Sequence, residues 1–156
     1  MTISVRPLRE DEYDAWLERT KEGYAKSMIE EAGVDEQIAR DKAEHDHAAL
    51  LPAGLASEGH HLFAIEDDGV VIGSLWLADR SGGDLGPSMF VYSIGIDEAF
   101  RGRGAGRAAM EFAEGFARER GHGSITLNVF GGNDVARGLY RSLGYSEQAV
   151  FMKKDL

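Results

Sequence analysis

Residues 94–107 read IGIDEAFRGRGAGR, and this stretch decides the fold. The apolar run that leads into it, SMFVYSIGID (88–97), is typical of a strand buried on both faces. The segment that follows, 108–117, is rich in alanine and phenylalanine and predicts a helix. Strand, glycine-rich loop and helix in this order suit a ligand that carries phosphate, because the first backbone N–H groups of a helix have no partner within the helix.

Alternating glycines and arginines fill the loop: Arg101, Gly102, Arg103, Gly104, Gly106 and Arg107. The glycines let a pyrophosphate approach the backbone without a Cβ in the way, and the arginines add positive charge. A P-loop is excluded because the sequence contains no Gly-Lys pair. A Rossmann fingerprint, GxGxxG, is excluded because the third glycine falls one position early. A plain glycine turn between strand and helix remains the alternative account.

At this point the chain resembles the GCN5-related N-acetyltransferase (GNAT) superfamily, whose main signature is [QR]-x-x-G-x-[GA] between a long strand and a helix. Arg101, Gly104 and Gly106 fill that signature. A second stretch, LNVFGGNDVARGLYRSLGY (127–145), is similar to the family's pattern of strand, Asn, short helix, Leu-Tyr and Gly-aromatic. The resemblance implies an N-acetyltransferase that uses acetyl-CoA as its co-substrate.

The resemblance also implies how acetyl-CoA lies on the protein. Ile94, Gly95 and Ile96 would offer main-chain groups to the pantetheine arm, in a gap where the sheet splays open before SITLNVF (124–130). Asn133 would contact the same arm. The pyrophosphate would be held by the loop residues Arg101, Gly102, Arg103, Gly104, Ala105, Gly106 and Arg107.

Asn133 and Tyr140 are seven residues apart, which in a helix is two turns, about 10.5 Å, and places both side chains on one face. One account is structural: Asn133 caps the helix and Tyr140 packs in the core. The other, implied by the resemblance, makes Tyr140 the general acid that protonates the departing CoA thiolate. The chain has no cysteine, so transfer through an enzyme thioester is excluded and direct attack in a ternary complex is favoured.

The general base is less clear from the sequence. Many members of the family carry a carboxylate on a central strand, but Ser93, Gly95 and Asn128 stand on the relevant strands here. The eligible groups elsewhere are Asp97, Glu98, Asp84, His60 and His61; for the two histidines we favour a hydrogen-bonded structural role. His45 and His47 lie on a polar helix and are expected to be solvated. No spacing of His and Asp predicts a metal site.

The rest of the chain completes an α/β fold in one GNAT-like domain, 1–156, with a mixed, mostly antiparallel sheet splayed in the middle and flanked by helices. ISVRPL (3–8) predicts the first strand, a helix follows, and a second helix is expected over about 35–51. Asp68-Gly69 joins two strands in a hairpin. YSEQAVFMKKDL (145–156) is expected to form a last strand, which makes the order β-α-α-β-β-β-α-β-α-β.

The composition and charge of the chain limit the classes of partner that it is expected to bind. The 27 acidic and 17 basic residues give a net charge of −10, which argues against nucleic-acid binding. No apolar run approaches the ~20 residues that span a bilayer, and no signal peptide is visible, so a cytoplasmic protein without membrane contact is expected. The sequence is compatible with a homodimer.

Two functions from different classes remain. The first is acetyl transfer to an amine-bearing acceptor, either a small molecule or a protein amino group; the alternative is a non-catalytic acyl-CoA-binding module. We expect residues 10–60 and the loop 79–88, with Gly82-Gly83, to select the acceptor. An acidic excess over 10–36 would either attract a cationic amine or only solvate the helices: Glu10, Asp11, Glu12, Asp14, Glu18, Glu22, Glu30, Glu31, Asp35 and Glu36.

Overall fold

A computed structural model describes residues 2–82 and 86–156 of the chain. The strands are β1 (Ile3–Pro7), β2 (His60–Asp67), β3 (Val70–Arg80), β4 (Ser88–Ile96) and β5 (Ile125–Leu127). The helices are α1 (Tyr13–Ala32), α2 (Glu36–Leu50), α3 (Ala105–Glu119) and α4 (Asp134–Ser142). The α/β class and the expected order are confirmed from the first strand through α4.

The five strands form one sheet in the order β1-β2-β3-β4-β5. The first three pairings are antiparallel and the last, β4 with β5, is parallel. At the β2–β3 turn Asp68 and Gly69 both have positive φ, 49° and 83°, as a two-residue hairpin turn requires. The mostly antiparallel sheet and the Asp-Gly hairpin are therefore as predicted.

Each face of the sheet buries a separate set of side chains. On one face Leu75, Leu77 and Met89 pack against the alanine-rich side of α3. On the other, Trp16 of α1 meets Trp76 of β3 edge to face, with ring centroids 5.5 Å apart. The sheet thus lies between α3 on one side and the α1–α2 pair on the other.

The second helix begins where the sequence indicates, because the Asp35 carboxylate accepts hydrogen bonds from the N–H groups of Gln37 and Ile38. The expectation that His47 is solvated is wrong. Its side chain is 5% exposed and lies 5.4 Å from the Trp76 ring, since this face of α2 packs on the sheet. His45, two positions earlier, is exposed as expected.

The expected last strand is absent: residues 145–156 are in no strand or helix. Glu147 instead turns back onto α4, where Oε1 accepts hydrogen bonds from Arg137 (2.8 Å) and Arg141 (3.0 Å). The strand-like sequence beyond it has no neighbouring strand within the described residues. Strand propensity shows that a segment can adopt an extended conformation, but it does not show that a neighbouring strand is there to pair with it.

Candidate active site

Strands β4 and β5 separate partway along their length. They pair at Met89–Ile125, Phe90–Thr126 and Val91–Leu127, and β4 then continues to Ile96 with β3 as its only neighbour among the described strands. Tyr92 forms a bulge at this point, because Leu77 pairs with Val91 and Trp76 with Ser93. The sheet is therefore open beside the second half of β4.

The backbone of β4 presents polar groups to this opening. Asp97 N–H donates to the Ile72 carbonyl on β3 at 2.8 Å. Because bonding direction alternates along an antiparallel strand, Gly95 also faces β3, whereas Ile94 and Ile96 face away from it. The Ile96 carbonyl already accepts a hydrogen bond from Arg101 Nε at 2.8 Å, so Ile94 is the residue with its main-chain groups free on the open side.

The loop after β4 leaves a run of backbone amides without partners. Within the described residues the N–H groups of residues 102–107 make no hydrogen bond of ordinary distance and angle; the next amide, Ala108 N–H, donates to the Gly104 carbonyl. Gly102 and Gly104 adopt φ of 75° and 87°, which glycine alone tolerates readily. Six adjacent unpaired amides at the positive end of a helix form a site suited to an anion.

The three arginines of the loop are held by contacts that the sequence did not indicate. Arg101 is bonded to Ile96, Arg103 lies over the Phe100 ring at 5.7 Å, and Arg107 Nη2 donates to Ser142 Oγ at 2.6 Å. All three remain exposed. Phe100 and Ser142 are thus supporting residues that sequence reasoning missed; Ser142 is 35 positions from its partner and no local signal marks it.

Helix α4 packs against the first turn of α3. A Cβ at Gly106 would lie 3.4 Å from Leu139 Cδ2, which is van der Waals contact, so the two helices approach closely at this residue. Asn133 caps α4: its Oδ1 accepts from Ala136 N–H at 3.1 Å. The structural account of Asn133 is therefore correct for its oxygen, and the side-chain amide N–H groups remain available for a ligand.

Tyr140 packs against the same apolar cluster as Ile94, Ile96 and Phe100. Its hydroxyl has no hydrogen-bond partner within the described residues and is not among the fully buried polar atoms. Burial of the ring raises the pKa of Tyr140 above its ordinary value, so the phenol holds its proton at neutral pH. A protonated hydroxyl without a partner is suited to donate a hydrogen bond to a ligand.

Tyr145 differs from Tyr140 in its surroundings, although the two ring centroids are only 5.8 Å apart. The Tyr145 hydroxyl is fully buried and has no partner in the described part of the chain. Burial, reinforced by the negative charge of Glu114, raises its pKa further. Tyr145 is therefore closed to a ligand, which makes it a natural comparison for Tyr140.

The residues considered as general base lie in different parts of the structure and do not form a cluster at the opening. His60 Nδ1 accepts from Trp76 Nε1 at 2.9 Å, and His61 Nε2 lies 2.9 Å from Asp79 Oδ2, which fits the structural role favoured for both. Asp97 and Glu98 are exposed in the turn that precedes the loop. Gly83 and Asp84 lie outside the described residues.

Comparison with known proteins agrees with this geometry. The sequence pattern of the acetyltransferase (GNAT) family matches residues 11–145. A Bacillus subtilis (strain 168) protein, the uncharacterized N-acetyltransferase YdgE, is 33% identical over 160 aligned positions, covering 100% of this chain and 99% of the relative. No helix in the described ranges has the length and apolarity needed to cross a membrane.

Solved structures show the same fold. The crystal structure of the Bacillus subtilis acetyltransferase YycN superposes with a TM-score of 0.90 at 29% identity and covers 99% of both chains. The aminoglycoside acetyltransferase AAC(6′)-Iy, solved with a bisubstrate analogue of CoA and acetylneamine, has a TM-score of 0.64 over the whole of both chains at 19% identity, a likeness of fold alone. The chain belongs to the acetyltransferase (GNAT) family and is an acetyltransferase.

Proposed function

We propose that this protein transfers an acetyl group from acetyl-CoA to a primary amine, by direct attack within a ternary complex in one acyltransferase domain. One observation carries the proposal: six backbone amides at the start of α3, unpaired within the described residues, lie next to the opening between β4 and β5. An anion site beside an open strand suits a ligand with a pyrophosphate and an extended amide-bearing arm.

We deduce the contacts with acetyl-CoA from the backbone and side-chain groups that have no hydrogen-bond partner in the described residues. The amides of 102–107 would bind the pyrophosphate, with Arg101, Arg103 and Arg107 adding charge from the loop. Ile94 would pair with the arm as a strand would, and the Asn133 side-chain amide would donate to it from α4. Gly95 and Ile96 would shape the strand rather than bond the arm, since Gly95 faces β3 and the Ile96 carbonyl is taken by Arg101.

Tyr140 would act as the general acid. Acetyl-CoA supplies a thioester, and its sulfur departs as a thiolate whose conjugate thiol has a pKa near ~8.5. The Tyr140 hydroxyl, protonated and without a partner in the described residues, can donate its proton to that sulfur as the bond to carbon breaks. The attacking amine gives up its own proton to water or to a nearby carboxylate.

The acceptor would approach from the α1–α2 side of the opening. Most charges that join α1 and α2 are already paired: Lys21 with Glu18 and Glu44, and Arg40 with Glu22 and Glu36. Those carboxylates therefore serve helix packing and solvation. Glu31 is different, because Oε2 is buried without a hydrogen-bond partner in the described residues. Its backbone also lies close to Gly132, just before the helix that carries Tyr140.

The test is thiol release from acetyl-CoA with a panel of polyamines, amino sugars, amino acids and peptide amines. The protein contributes no thiol of its own, since it has no cysteine, so all released thiol comes from CoA. We expect amine-dependent thiol release together with an acetylated product detected by mass. Binding of acetyl-CoA with no release for any amine would instead favour a non-catalytic acyl-CoA-binding module.

A further inference from the structure

Four aromatic rings form a patch on the α1–α2 face of the sheet, at the point where β5 leaves β4. Tyr92, which bulges there, stacks on Trp76 with ring centroids 4.7 Å apart, and Phe90 meets Tyr92 edge to face, also at 4.7 Å. The His60 ring lies 5.6 Å from Tyr92 and 5.8 Å from Trp76. Rings packed on one another in this way keep fixed orientations, so the polar groups on their edges are held in place.

Arg80 lies over this aromatic patch. Its guanidinium carbon is 3.5 Å from the centre of the Phe90 ring and 5.4 Å from that of Tyr92, and Nη2 donates to the Tyr92 hydroxyl at 3.4 Å. An arginine placed over a ring keeps N–H donors at the edge of its own plane available for another group. In the described residues no carboxylate bonds to Arg80, although the net charge of the chain is −10.

His60 and Tyr92 add two further donors to the patch. His60 Nδ1 accepts from Trp76 Nε1 at 2.9 Å, and an indole N–H can only donate, so the His60 proton is on Nε2. Burial lowers the pKa of His60, so the ring is neutral at pH 7. Nε2–H has no partner in the described residues and is not among the fully buried polar atoms. The Tyr92 hydroxyl accepts from Arg80 and can therefore point its own hydrogen at a ligand.

We propose that Arg80 selects the acceptor by binding the carboxylate of an amino acid, while the amine of the same molecule reaches acetyl-CoA in the opening next to Tyr92. The inference rests on the proposed acetyl transfer and names the class of its acceptor. A carboxylate fits because a guanidinium can bind it through two parallel N–H bonds, and the patch presents one positive charge with donors from three side chains. Arg80 also lies in the segment 79–88 that the sequence predicts to select the acceptor.

A polyamine fits this surface poorly. Its second ammonium group would face the positive charge of Arg80 and would offer no acceptor to the donors of the patch. The carboxylates of α1 and α2 that could attract a polyamine are already paired, Glu44 with Lys21 and Glu22 with Arg40.

The reaction itself leaves the carboxylate unchanged. The amine nitrogen bonds to the acetyl carbon, the carbon–sulfur bond breaks, the sulfur takes a proton and the amine loses one. Arg80 therefore stabilises the bound acceptor and the transition state equally, and its removal should raise KM for the acceptor rather than lower kcat.

The first test compares each acceptor with its own carboxamide, using thiol release as the readout. The probes are the protein amino acids, β-alanine and γ-aminobutyrate, each paired with the corresponding amide. We expect the wild type to prefer the acid in at least one pair by about tenfold or more in kcat/KM. Arg80→Gln should remove that preference by raising KM for the acid, with the amide unaffected. Comparing the two proteins cancels any difference in amine basicity within a pair.

Arg118→Gln is the matched control, because Arg118 is an exposed arginine on α3 whose ion pair with Glu114 is 3.9 Å long. It makes the same change of charge and should keep the preference for the acid. Arg80→Lys should keep part of it, since the charge returns without the planar fork. If Arg80 only covers Phe90, its loss affects acids and amides alike. Equal kcat/KM for acids and amides in the wild type, or a preference that survives in Arg80→Gln, overturns the proposal.

The second test measures binding, which separates a failure of this subsite from a failure of acetyl transfer. The two tryptophans of the chain, Trp16 and Trp76, both lie on this face with centroids 5.5 Å apart, so intrinsic fluorescence reports on the patch. We expect a saturable change when the acids are titrated into the CoA-loaded wild type, and none in Arg80→Gln. Acid binding without acetylation of any amine would refute acetyl transfer and keep the subsite. No change with any acid refutes the subsite, even if amines are acetylated.

Discussion

The two ends of α3 differ in whether their backbone and charged groups have hydrogen-bond partners. At the first turn the amides of 102–107 have no partners in the described residues. At the last turn Arg120, Gly121 and His122 all donate N–H bonds to carbonyls of the final turns, at 3.0–3.1 Å, and Gly121 takes the positive φ of 83° that ends a helix.

The side chains show the same contrast. After the last turn, Arg120 Nη2 and His122 Nε2 both lie on Asp79, at 2.7 and 2.6 Å, and His61 approaches the same carboxylate at 2.9 Å. These bonds, with Arg120 as the main one, hold the pKa of Asp79 well below its usual range. One end of α3 therefore has backbone amides without partners in the described residues, and the other end is bonded to the sheet through Asp79.

The strongest test of this comparison is Gly104→Val at the free end. A side chain at φ 87° is strained, and a Cβ there stands where a pyrophosphate would approach the amides. We expect the thermal shift caused by acetyl-CoA to disappear. Gly33→Val is the matched control, since Gly33 has φ 66° and open space around it at the end of α1. It should lose similar stability yet keep the shift; a Gly104→Val protein that binds normally would refute the loop assignment.

The next effect is catalytic. Tyr140→Phe should lower kcat by about 10²–10⁴-fold and leave acetyl-CoA affinity nearly unchanged, because only the departing sulfur needs the hydroxyl. Tyr145→Phe is the control, because its hydroxyl is buried without a partner in the described residues, so its removal should cost no hydrogen bond. Equal turnover in all three proteins, with chemistry shown to limit the rate, would return Tyr140 to a packing role.

At the C-terminal end of α3, which is bonded to Asp79, we expect a substitution to lower the stability of the fold. Asp79→Asn weakens the bonds to Arg120, His61 and His122 and should lower the free energy of unfolding by about 1–3 kcal/mol at pH 7, measured in urea. The acetyl-CoA shift should persist, because we propose that the ligand binds at the other end of α3. Asp46→Asn, in a surface pair with Lys42, should cost no more than about 0.5 kcal/mol. Loss of cofactor binding in Asp79→Asn would break the comparison.

The fold was largely readable from the sequence because its signals are local. The Asp68-Gly69 hairpin, the Asp35 cap and the loop that opens α3 each depend on residues within a few positions of one another. The fastening of α3 was not readable, since Asp79 and Arg120 are 41 positions apart. Residues 145–156 were expected to form a strand but pair with no strand in the described residues, because propensity does not reveal which edge a strand joins.

A smaller effect is expected at Glu31: its Oε2 is fully buried without a partner in the described residues, whereas Oε1 is not fully buried and is the oxygen open to an acceptor. If Oε1 contacts the acceptor, Glu31→Gln should raise the apparent KM for the best amine about tenfold, the lower end of what a hydrogen bond to a charged group contributes. The KM for acetyl-CoA should not change. Glu30→Gln, one position earlier on the same helix, is the control. Equal KM values for the amine in both variants would remove Glu31 from the acceptor site.

The smallest effect concerns His47, a buried group without a full set of partners that lies outside the site. Its Nδ1 is 2.7 Å from the Ala43 carbonyl and therefore carries the proton, which leaves Nε2 bare and without a partner in the described residues. Burial lowers the pKa of His47, so the folded state resists a proton that the unfolded chain accepts as pH falls through about 6.5. His47 therefore makes the free energy of unfolding fall on acidification, by less than about 1.4 kcal/mol per pH unit. We expect His47→Phe to flatten urea-derived stability between pH 7.5 and 5.5, while exposed His45→Phe keeps the wild-type slope. A residual slope is expected because burial also lowers the pKa of His60, and an unchanged slope in His47→Phe would mean that Nε2 is satisfied in solution.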